Sequence, residues 1–436
     1  MTAEVRAAVD AADVLPAVVL DVDLSEPLPA VPATGGDGRR VQQAWALVRL
    51  FTEPLGTVLV DVPSSGLRPG ELAAAIDAEL GDVLRPRLGG DPVPVHGVTP
   101  DREPEFLARR RQVLATAPHI TVVVCTRERP DALAPCLDSL LAQKYPGFRV
   151  LVVDNAPVTD ATAEVVRAAA RRGPVDYLRE PRAGLSFARN AAVRSAPGQT
   201  LAWIDDDEVA DPHWLAEVAR ALHEHPEADV VSGVIVPAEL ETRAQLWFEQ
   251  FGGHSKGRGF KPDVFSPATA HVQSPLYPLP PFGTGANMTF RPGVIERIGM
   301  FDTALGAGTP AMGSEDTLAF TQVLLAGGTI VYQPTAVTHH YHRRDFEGLH
   351  KQMVGYGTGL VAAYTSLLLA RPGLVFALLK LAPGALRVMT AKDSPRTATL
   401  REDFPRELLS ANRRGMLAGP RAYLRGRRAA RRGAQA

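Results

Sequence analysis

The sequence predicts an α/β protein whose centre is a doubly wound mixed sheet with flanking helices. Continuous apolar runs typical of buried parallel strands occur at ITVVVCT, FRVLVVDN and TLAWIDDD. Helix-like segments separate these runs, and strands that alternate with helices at this spacing indicate a doubly wound sheet. Ligands bind beyond the carboxyl ends of the strands in such sheets, which is where Thr126, Asp154 and Asp205 are expected.

The elements of this central unit, assigned to residues 118–345, follow in a regular order. After the first strand, ALAPCLDSLLAQ reads as a helix, and after the second strand DATAEVVRAAARR reads as another. A short strand around Val175 to Leu178 precedes a third helix, LSFARNAAVRSA. That helix leads directly into the strand that ends in acids.

Residues 1–117 are predicted to form a small α/β unit ahead of the central one. Two strand-like runs flank a turn at Pro54, Leu55 and Gly56, and GELAAAIDAELGDVLRPRL reads as an amphipathic helix. The segment contains no catalytic constellation. We interpret it as an accessory or docking domain.

Composition excludes several classes of protein. The chain has 436 residues and a formal net charge of −1, so it lacks the basic excess of a general nucleic-acid-binding protein. Its two cysteines, Cys125 and Cys136, are too few for a disulfide framework and indicate reduced thiols in a cytoplasmic protein. The first segment lacks the basic start and apolar centre of a signal peptide, so none is expected.

The last unit, residues 346–436, is predicted to be a helical extension with a basic tail. Two apolar runs, GLVAAYTSLLLA and GLVFALLKLAPGAL, are split by Arg371 and Pro372, and each is too short to span a bilayer. The final stretch, ANRRGMLAGPRAYLRGRRAARRGAQA, is rich in arginine and has no acid. Two interpretations stay open: peripheral contact with an anionic membrane at the inner face of the cell membrane, or a solvated basic tail.

Three consecutive carboxylates, Asp205, Asp206 and Asp207, directly follow an apolar strand. Like charges this close repel one another unless a cation or an arginine offsets them. In strand geometry Asp205 and Asp207 point to the same side, and two oxygens there suit Mg²⁺ or Mn²⁺ bound to a diphosphate. The alternative is a solvated acidic turn ahead of a helix that begins near Pro212.

A second acidic pair, Glu315 and Asp316, stands just before the apolar helix of GSEDTLAFTQVLLAGG. One interpretation is N-capping, in which Ser314 or the acids accept hydrogen bonds from free backbone N–H groups. The other is a general base that removes a proton from an acceptor hydroxyl. The local pattern leaves both open.

Three histidines, His339, His340 and His342, follow the apolar run TIVYQP. Three within four positions favour a metal-ligand or phosphate-contacting role, and His340 and His342 share a face if the segment is a strand. The spacing does not decide which histidine would bind a metal. Arg343 and Arg344 come next and are candidates for contact with diphosphate oxygens.

The segment GTGANM, from Gly283 to Met288, places glycines ahead of a small polar stretch. A glycine at position 285 permits close approach of the backbone to a ligand. The candidate contacts to the donor or acceptor are Gly285 and Asn287 of this segment, together with Arg343. A simple turn explains the glycines nearly as well.

Together these segments resemble glycosyltransferase family 2, which has the GT-A fold. The matching segments are ITVVVCTRERPDALAPCLDSLLAQ, VLVVDN, GLSFARNAA, WIDDDEVADPHWL, GTGANMTFRP, GMFDTALGAGTPAMGSEDTLAF and AVTHHYHRRD. They cover Ile120 to Asp345, about half of the chain. The resemblance implies an inverting, metal-dependent enzyme that moves a sugar from a nucleotide-diphosphate-sugar donor to an acceptor hydroxyl.

The resemblance also implies roles for single residues. Nucleotide contacts are implied at strand ends, in the ARN element and in the acidic triplet: Thr126, Arg127, Asp154, Arg189, Asn190, Asp205 and Asp206. Metal contacts are implied for Asp205, Asp207, His340 and His342. Asp316, with Glu315 beside it, matches the usual catalytic base. The segment VDNAP departs from the common VDDGS or VDNGS, so the loop after Asp154 is expected to differ in shape.

Two other functions compete with this one. A sugar-nucleotide nucleotidyltransferase needs a glycine-rich, basic loop after the first strand, where this chain has TRERPDAL. A non-catalytic nucleotide-sugar-binding protein predicts a broken set of acids, whereas Asp205, Asp207 and Asp316 are all present. The sequence does not identify the donor among UDP-, GDP- and dTDP-sugars. Nor does it identify the acceptor, for which a lipid-linked or cell-envelope glycan and a glycosylated metabolite are candidates.

Overall fold

The computed structural model describes residues 14–255, 257–269, 274, 276, 282–390, 400–401 and 403–433. Its N-terminal part is a three-stranded sheet with one helix: β1 (Val14–Asp23), β2 (Arg40–Leu50), β3 (Glu53–Asp61) and α1 (Pro69–Leu84). β1 runs parallel to β2, and β2 runs antiparallel to β3. This is the small α/β unit that the sequence predicts.

The tight turn of this unit lies at Phe51 and Thr52, so the prediction of a turn at residues 54–56 is wrong. Both residues have positive φ, 52° and 69°. The carboxylate of Asp23 accepts hydrogen bonds from their N–H groups at 3.0 and 2.6 Å. An acid at the end of a neighbouring strand thus stabilises a turn that the local residues do not indicate.

Within the described residues, the central sheet has nine strands in the order β10-β12-β9-β11-β7-β4-β5-β6, with β8 beside β12. These strands are β4 (Ile120–Thr126), β5 (Phe148–Asn155), β6 (Val175–Glu180), β7 (Thr200–Asp205), β8 (Glu208–Ala210), β9 (Val230–Pro237), β10 (Asp263–Phe265), β11 (Asn287–Phe290) and β12 (Ile330–His340). β11 runs antiparallel to β7 and β9, and β10 runs antiparallel to β12. The sheet is therefore mixed, as predicted.

Apolar cores lie on both faces of this sheet. Val123 of β4 packs in one hydrophobic cluster, whereas its neighbours Val122 and Val124 pack in the other. The surrounding helices are α2 (Glu105–Leu114), α3 (Pro130–Leu141), α4 (Ala161–Ala170), α5 (Leu185–Ser195), α6 (Trp214–Glu224), α7 (Arg243–Gln250), α8 (Val294–Arg297) and α9 (Glu315–Leu325). Burial on both faces explains why the strands are continuously apolar and confirms the predicted α/β class.

The register of the parallel strands brings three predicted site residues to one edge of the sheet. Thr126 of β4 lies opposite Asp154 of β5. On its other side β4 pairs with β7, where Cys125 lies opposite Asp205. Polar groups from three strands therefore meet where ligands bind in sheets of this kind.

Buried ion pairs connect the N-terminal unit to the central unit. Arg49 lies 2.8 Å from Asp211, and Arg110 of α2 lies 2.7 Å from Glu217. Arg110 also donates a hydrogen bond to the hydroxyl of Thr52 at 2.8 Å. The turn of the N-terminal sheet is thus connected to a helix of the central unit.

The C-terminal part contains α10 (Phe346–Ala370), α11 (Val375–Thr390) and α12 (Arg406–Gly433). α10 and α12 pack backbone against backbone. A Cβ at Gly357 would lie 1.9 Å from the carbonyl oxygen of Asn412, and one at Gly415 would lie 2.2 Å from that of Val354. Glycine at both positions is what permits this approach.

Within the part of the chain that the structure describes, α10 alone is long and apolar enough to cross a membrane by length and composition. This corrects the expectation of short apolar runs only, because the helix begins well before its apolar run. Half of its most apolar window is buried inside the structure, and a Cβ at Gly359 would lie 2.8 Å from the Ser314 hydroxyl. Buried helices of globular proteins pass the same test, and α10 packs directly behind the segment that leads to Glu315.

Candidate active site

The acidic triplet lies where β7 ends. The strand geometry assumed for it is wrong, because β7 ends at Asp205 and the chain turns through Asp206 and Asp207 before β8. Asp205 keeps 38% of its side chain exposed, whereas Asp206 and Asp207 keep 5% and 7%. One carboxylate therefore faces solvent and two are enclosed.

Arg129, in the loop after β4, holds the two enclosed acids. Its guanidinium forms an ion pair with Asp206 and lies 2.8 Å from Oδ2 of Asp207. The hydroxyl of Thr126 donates to Oδ2 of Asp206 at 2.6 Å. Burial raises the pKa of Asp206 to about 7. Because Arg129 is shared by two carboxylates, its positive charge does not offset the cost of burying the ionised form of Asp206.

Asp207 has a second partner in His340, whose Nε2 lies 3.3 Å from its Oδ1. Burial opposes ionisation of Asp207, but His340 and Arg129 outweigh it and hold the pKa of this carboxyl well below its usual range. Asp207 is therefore an anion, whereas Asp206 carries a proton over part of the neutral range.

Arg189 of α5 joins the acidic triplet to the second acidic pair. Its Nη1 lies 2.9 Å from Oε1 of Glu315, and its Nη2 lies 3.8 Å from Oδ1 of Asp205. Burial raises the pKa of Glu315 to about 7, although Arg189 opposes that shift. The fold thus gathers acids from two distant segments around one enclosed guanidinium, which is 2% exposed.

Asp316 is partly exposed at the start of α9. Its Oδ2 accepts a hydrogen bond from the N–H of Gly285 at 2.6 Å, and its Oδ1 accepts one from the N–H of Thr317 at 2.6 Å. Ser314 makes no side-chain cap of this helix. The acids therefore interact with the helix start, and Asp316 in addition fixes the GTGANM loop.

Gly285 permits a close approach, as predicted, and in this structure the approach is to protein groups. A Cβ at this position would lie 2.7 Å from Nη2 of Arg189 and 3.0 Å from Cβ of Asp316. The carbonyl of Gly285 accepts a hydrogen bond from Arg189 at 3.0 Å. Contact of Gly285 with a donor or acceptor stays a prediction.

Asn287 lies inside the sheet, at odds with the predicted contact to donor or acceptor. It is 1% exposed. Its Nδ2 donates to the carbonyls of Val234 and Ala336 at 3.1 and 2.9 Å, and its Oδ1 accepts from Nε1 of Trp214 at 2.9 Å. These bonds occupy the whole side-chain amide, so its observed role is to join strands and helix α6.

Asn190 is predicted to contact the nucleotide. In the structure its side-chain amide instead forms hydrogen bonds with one backbone segment. Its Nδ2 donates to the carbonyl of Phe301 at 2.8 Å, and its Oδ1 accepts from the N–H of Phe301 at 2.9 Å. With 5% exposure it faces the protein interior. This geometry connects α5 to the segment that leads towards α9.

The loops after β4 and β5 are joined at the same edge of the sheet. Glu128 accepts a hydrogen bond from the N–H of Val158 at 2.9 Å. Arg127, beside it, is exposed. Asp154 is buried, which raises its pKa, and its Oδ2 accepts from the hydroxyl of Tyr177 at 2.8 Å. Tyr177 therefore lies beside Asp154 at this edge of the sheet.

The histidines at the end of β12 contact different carboxylates. His340 faces Asp207, whereas Nε2 of His342 lies 2.8 Å from Oε1 of Glu249. Burial lowers the pKa of both His339 and His342. The side chain of His342 is thus turned towards α7 and away from the acidic triplet.

The two arginines that follow also differ. Arg343 is exposed and stays a candidate for ligand contact. Arg344 forms ion pairs with Glu239 and Glu241, the latter at 2.6 Å. Those partners hold Arg344 against the loop between β9 and α7.

Three residues near the site were not singled out from the sequence: Arg129, Glu249 and His254. Arg129 stands in the segment TRERPDAL, where an arginine just past a strand end was available as a signal. Glu249 and His254 lie far along the chain from the histidines they meet, so no local spacing indicates them.

The chemical capacity of the site follows from its oxygens. Asp205 is exposed enough to bind an ion, and Asp207 is an anion in the next turn. Carboxylate oxygens suit Mg²⁺ and Mn²⁺. Asp316 adds a partly exposed carboxylate near Arg189.

Residues 121–299 match the family model described as Glycosyl transferase family 2. The succinoglycan biosynthesis protein ExoM of Rhizobium meliloti is 31% identical over 229 residues, which are 51% of this chain and 66% of that protein. A glucosyl-dolichyl phosphate glucuronosyltransferase of Haloferax volcanii is 25% identical over 197 residues, 43% of this chain and 57% of that one. The chain thus spans less than two thirds of the length of either relative.

Among solved structures, the mannosyltransferase PcManGT from Pyrobaculum calidifontis in complex with GDP-Man and Mn²⁺ aligns with a TM-score of 0.42. The sequences are 21% identical, and the alignment covers 76% of this chain and 82% of that one.

Proposed function

We propose that this chain transfers a sugar from a nucleotide-diphosphate-sugar donor to an acceptor hydroxyl, with inversion at the anomeric carbon, because residues 121–299 match the family model of glycosyl transferase family 2. One observation carries the proposal. Acids from two distant segments, Asp205 and the Glu315–Asp316 pair, are gathered around Arg189 at the ligand-binding edge of the sheet.

The proposed metal ligands are Asp205 and Asp207. A bound Mg²⁺ or Mn²⁺ would stabilise negative charge on the departing diphosphate. Asp206 lies beside them and is held by Thr126 and Arg129. His342, implied as a ligand by the resemblance, is bonded to Glu249 instead, and we do not place it on this ion.

Asp316 is the proposed general base. A base in an inverting transfer accepts the proton of the acceptor hydroxyl as that oxygen attacks the anomeric carbon. Its bonds to the N–H groups of Gly285 and Thr317 fix the direction of the carboxylate. Glu315, which is enclosed and paired with Arg189, is better suited to positioning than to proton transfer.

The nucleotide is proposed to lie along Thr126, Arg127 and Asp154, with Tyr177 available for stacking. Arg189 and Asn190 support that pocket indirectly in this proposal, since both are enclosed and bonded within the protein. The donor classes considered are UDP-, GDP- and dTDP-sugars. An acceptor in cell-envelope or lipid-linked glycan synthesis agrees with the roles named for the relatives.

A donor screen tests the function. Full-length protein is incubated with each nucleotide sugar and Mn²⁺ or Mg²⁺, and release of the nucleoside diphosphate is measured. We expect release from at least one donor, loss of release with EDTA, and loss in Asp205→Asn. The control variant Asp138→Asn, an exposed acid of α3, should keep full release. Release that is insensitive to both EDTA and Asp205→Asn would contradict the proposal.

We also propose that the C-terminal helices contact an anionic membrane at the cytoplasmic face. Phe376 and Leu379 of α11 are 71% and 63% exposed. The opposite face of this helix already packs against the protein through Ala377, Leu378 and Leu381. The arginines of α12 are exposed. Exposed aromatic and aliphatic groups near basic residues suit an interfacial position on anionic lipid.

A further inference from the structure

Two buried histidine rings face each other at the end of β12. The Nδ1 atoms of His340 and His342 are 3.0 Å apart. Each ring has a carboxylate at its other nitrogen: Asp207 for His340, at 3.3 Å, and Glu249 for His342, at 2.8 Å. Both histidines are therefore oriented by acids, with their remaining nitrogens converging.

The carboxylates determine which nitrogens are protonated. A neutral imidazole has one N–H, and a neighbouring carboxylate draws that N–H to the nitrogen it contacts. With Nε2–H directed at Asp207 and at Glu249, each Nδ1 presents a lone pair to the other. A cation beside the two Nδ1 atoms, which are 3.0 Å apart, would be bound by both rings.

A third imidazole completes the cluster. His254, in the turn after α7, places its ring centroid 4.3 Å from that of His340. One nitrogen from each of His254, His340 and His342 lies within 4.8 Å of the others. Phe248 closes one side, with its ring 4.7 Å from His342 and 5.1 Å from His254. The three nitrogens thus converge beside an apolar wall.

We propose that His254, His340 and His342 form a site for a borderline divalent ion, with Zn²⁺ the best fit, distinct from the carboxylate site for Mg²⁺ or Mn²⁺. Imidazole nitrogens select Zn²⁺ and similar ions, whereas carboxylates select Mg²⁺ and Mn²⁺. Tetrahedral Zn²⁺ with Zn–N bonds of about 2.0–2.1 Å separates its nitrogens by about 3.3 Å. The 3.0 Å between the two Nδ1 atoms is close to that value.

The second shell supports this assignment independently. Metal-bound histidines commonly donate their other N–H to a carboxylate, which fixes the ring and raises its basicity as a ligand. His340 with Asp207 and His342 with Glu249 both have this arrangement. The ion would fasten the turn that carries His254 to the end of β12, and through His340 it would hold Asp207 in place.

Zinc titration tests the site without use of the transferase reaction. The full chain is freed of metal with a chelator and titrated with Zn²⁺ in competition with a chromophoric chelator. We expect one ion per chain and a loss of affinity of tenfold or more in His254→Gln. Glu249→Gln should weaken binding by about 10–100-fold, as second-shell changes do. The exposed His96→Gln serves as the matched control and should bind as the parent chain does.

Two arms keep the outcome interpretable. Co²⁺ added to the unaltered chain should give the visible absorption of a tetrahedral imidazole complex, which needs no variant to fold. Asp205→Asn should leave zinc affinity unchanged while abolishing sugar release, so the two proposals fail separately. If the parent chain takes up no zinc, the imidazoles are joined by a proton. If Asp205→Asn loses zinc and His254→Gln keeps it, the ion is bound by the carboxylates. Either result overturns the assignment.

Discussion

Arg189 and Glu315 form an ion pair, with Nη1 2.9 Å from Oε1, and both side chains are almost fully enclosed. α5 supplies the arginine and the start of α9 supplies the acid. The same guanidinium contacts the carbonyl of Gly285 and lies near Asp205. This pair therefore fixes the relative position of the proposed metal site and the proposed base.

Removing the guanidinium should destabilise the protein strongly. Arg189→Met leaves Glu315 enclosed without its counter-ion, which costs about 3–5 kcal/mol in buried pairs. Denaturant unfolding would measure the change. The exposed pair of Arg172 with Asp138 provides the control, because Arg172→Met should cost less than about 1 kcal/mol. Equal losses of unfolding free energy in the two variants would mean that the buried pair of Arg189 with Glu315 stabilises the protein no more than an exposed pair does.

Replacing the proposed base should stop turnover and spare binding. Asp316→Asn cannot accept the acceptor proton, and positioned bases contribute about 10²–10⁴-fold to rate. Donor binding, followed by thermal shift with Mn²⁺, should persist because Asp316 is not among the proposed nucleotide and metal contacts. Asp345→Asn, at the N-cap of α10, controls for the loss of an acid at a helix start. Normal turnover in Asp316→Asn would exclude it as the base.

Adding one methyl group at Gly285 should disturb the site. In Gly285→Ala the new Cβ lies 2.7 Å from Arg189 Nη2, and overpacking of this kind costs about 1–3 kcal/mol. Gly313→Ala lies in the same region and its Cβ meets nothing within 4 Å, so it is the matched control. We expect lower stability and slower sugar release only in the first variant. If Gly285→Ala is as stable and active as Gly313→Ala, the loop around Gly285 moves enough to accommodate the added methyl group.

The metal-free protein should lose stability as the pH rises from about 4 to about 7. The pKa of Asp206 is about 7 in the folded chain against a usual 3.8. The folded state therefore holds a proton that the unfolded state releases earlier. The contribution of Asp206 to stability is therefore complete below pH 3.8 and is lost as the pH rises from 3.8 to about 7. Unfolding in EDTA across this range should show the decline, and Asp206→Asn should reduce it. An equal decline in Asp206→Asn and in the exposed control Asp138→Asn would assign it to other groups.

Polar replacement of the exposed apolar residues should release the protein from membranes. Burial of a Phe or Leu side chain contributes about 1.5–3 kcal/mol each, so Phe376→Ser with Leu379→Ser should reduce binding more than tenfold. Flotation with vesicles of anionic phospholipid measures this, and raised salt should weaken it further. Val83→Ser, an exposed apolar position on α1, is the control. If the parent chain does not float, the membrane contact is excluded.

The elements of the central sheet could be predicted from the sequence because their signal is local. β4, β5 and β7 are continuous apolar runs, and the acids that end them are next to those runs in the chain. Parallel pairing then brings strand ends together, so the edge that holds Thr126, Asp154 and Asp205 was predictable as well.

Errors arose where a distant residue overrides the local pattern. The turn at Phe51 and Thr52 depends on Asp23, a residue of another strand. Asn287 looked like a ligand contact because its segment is polar and glycine-rich. Its amide is instead occupied by strands β9 and β12, whose neighbourhood only the sheet order establishes.

The sequence by itself determined the class of fold, the resemblance to a family and the set of acids available for chemistry, since these depend on periodicity and on motifs within short segments. The tertiary structure decided the partners: Arg129 for Asp206 and Asp207, Arg189 for Glu315, and His254 for His340 and His342. A charged or polar side chain carries no local mark of which distant group will neutralise it. The choice depends on how loops and helices pack, and on the need to compensate each buried charge at the place where packing leaves it.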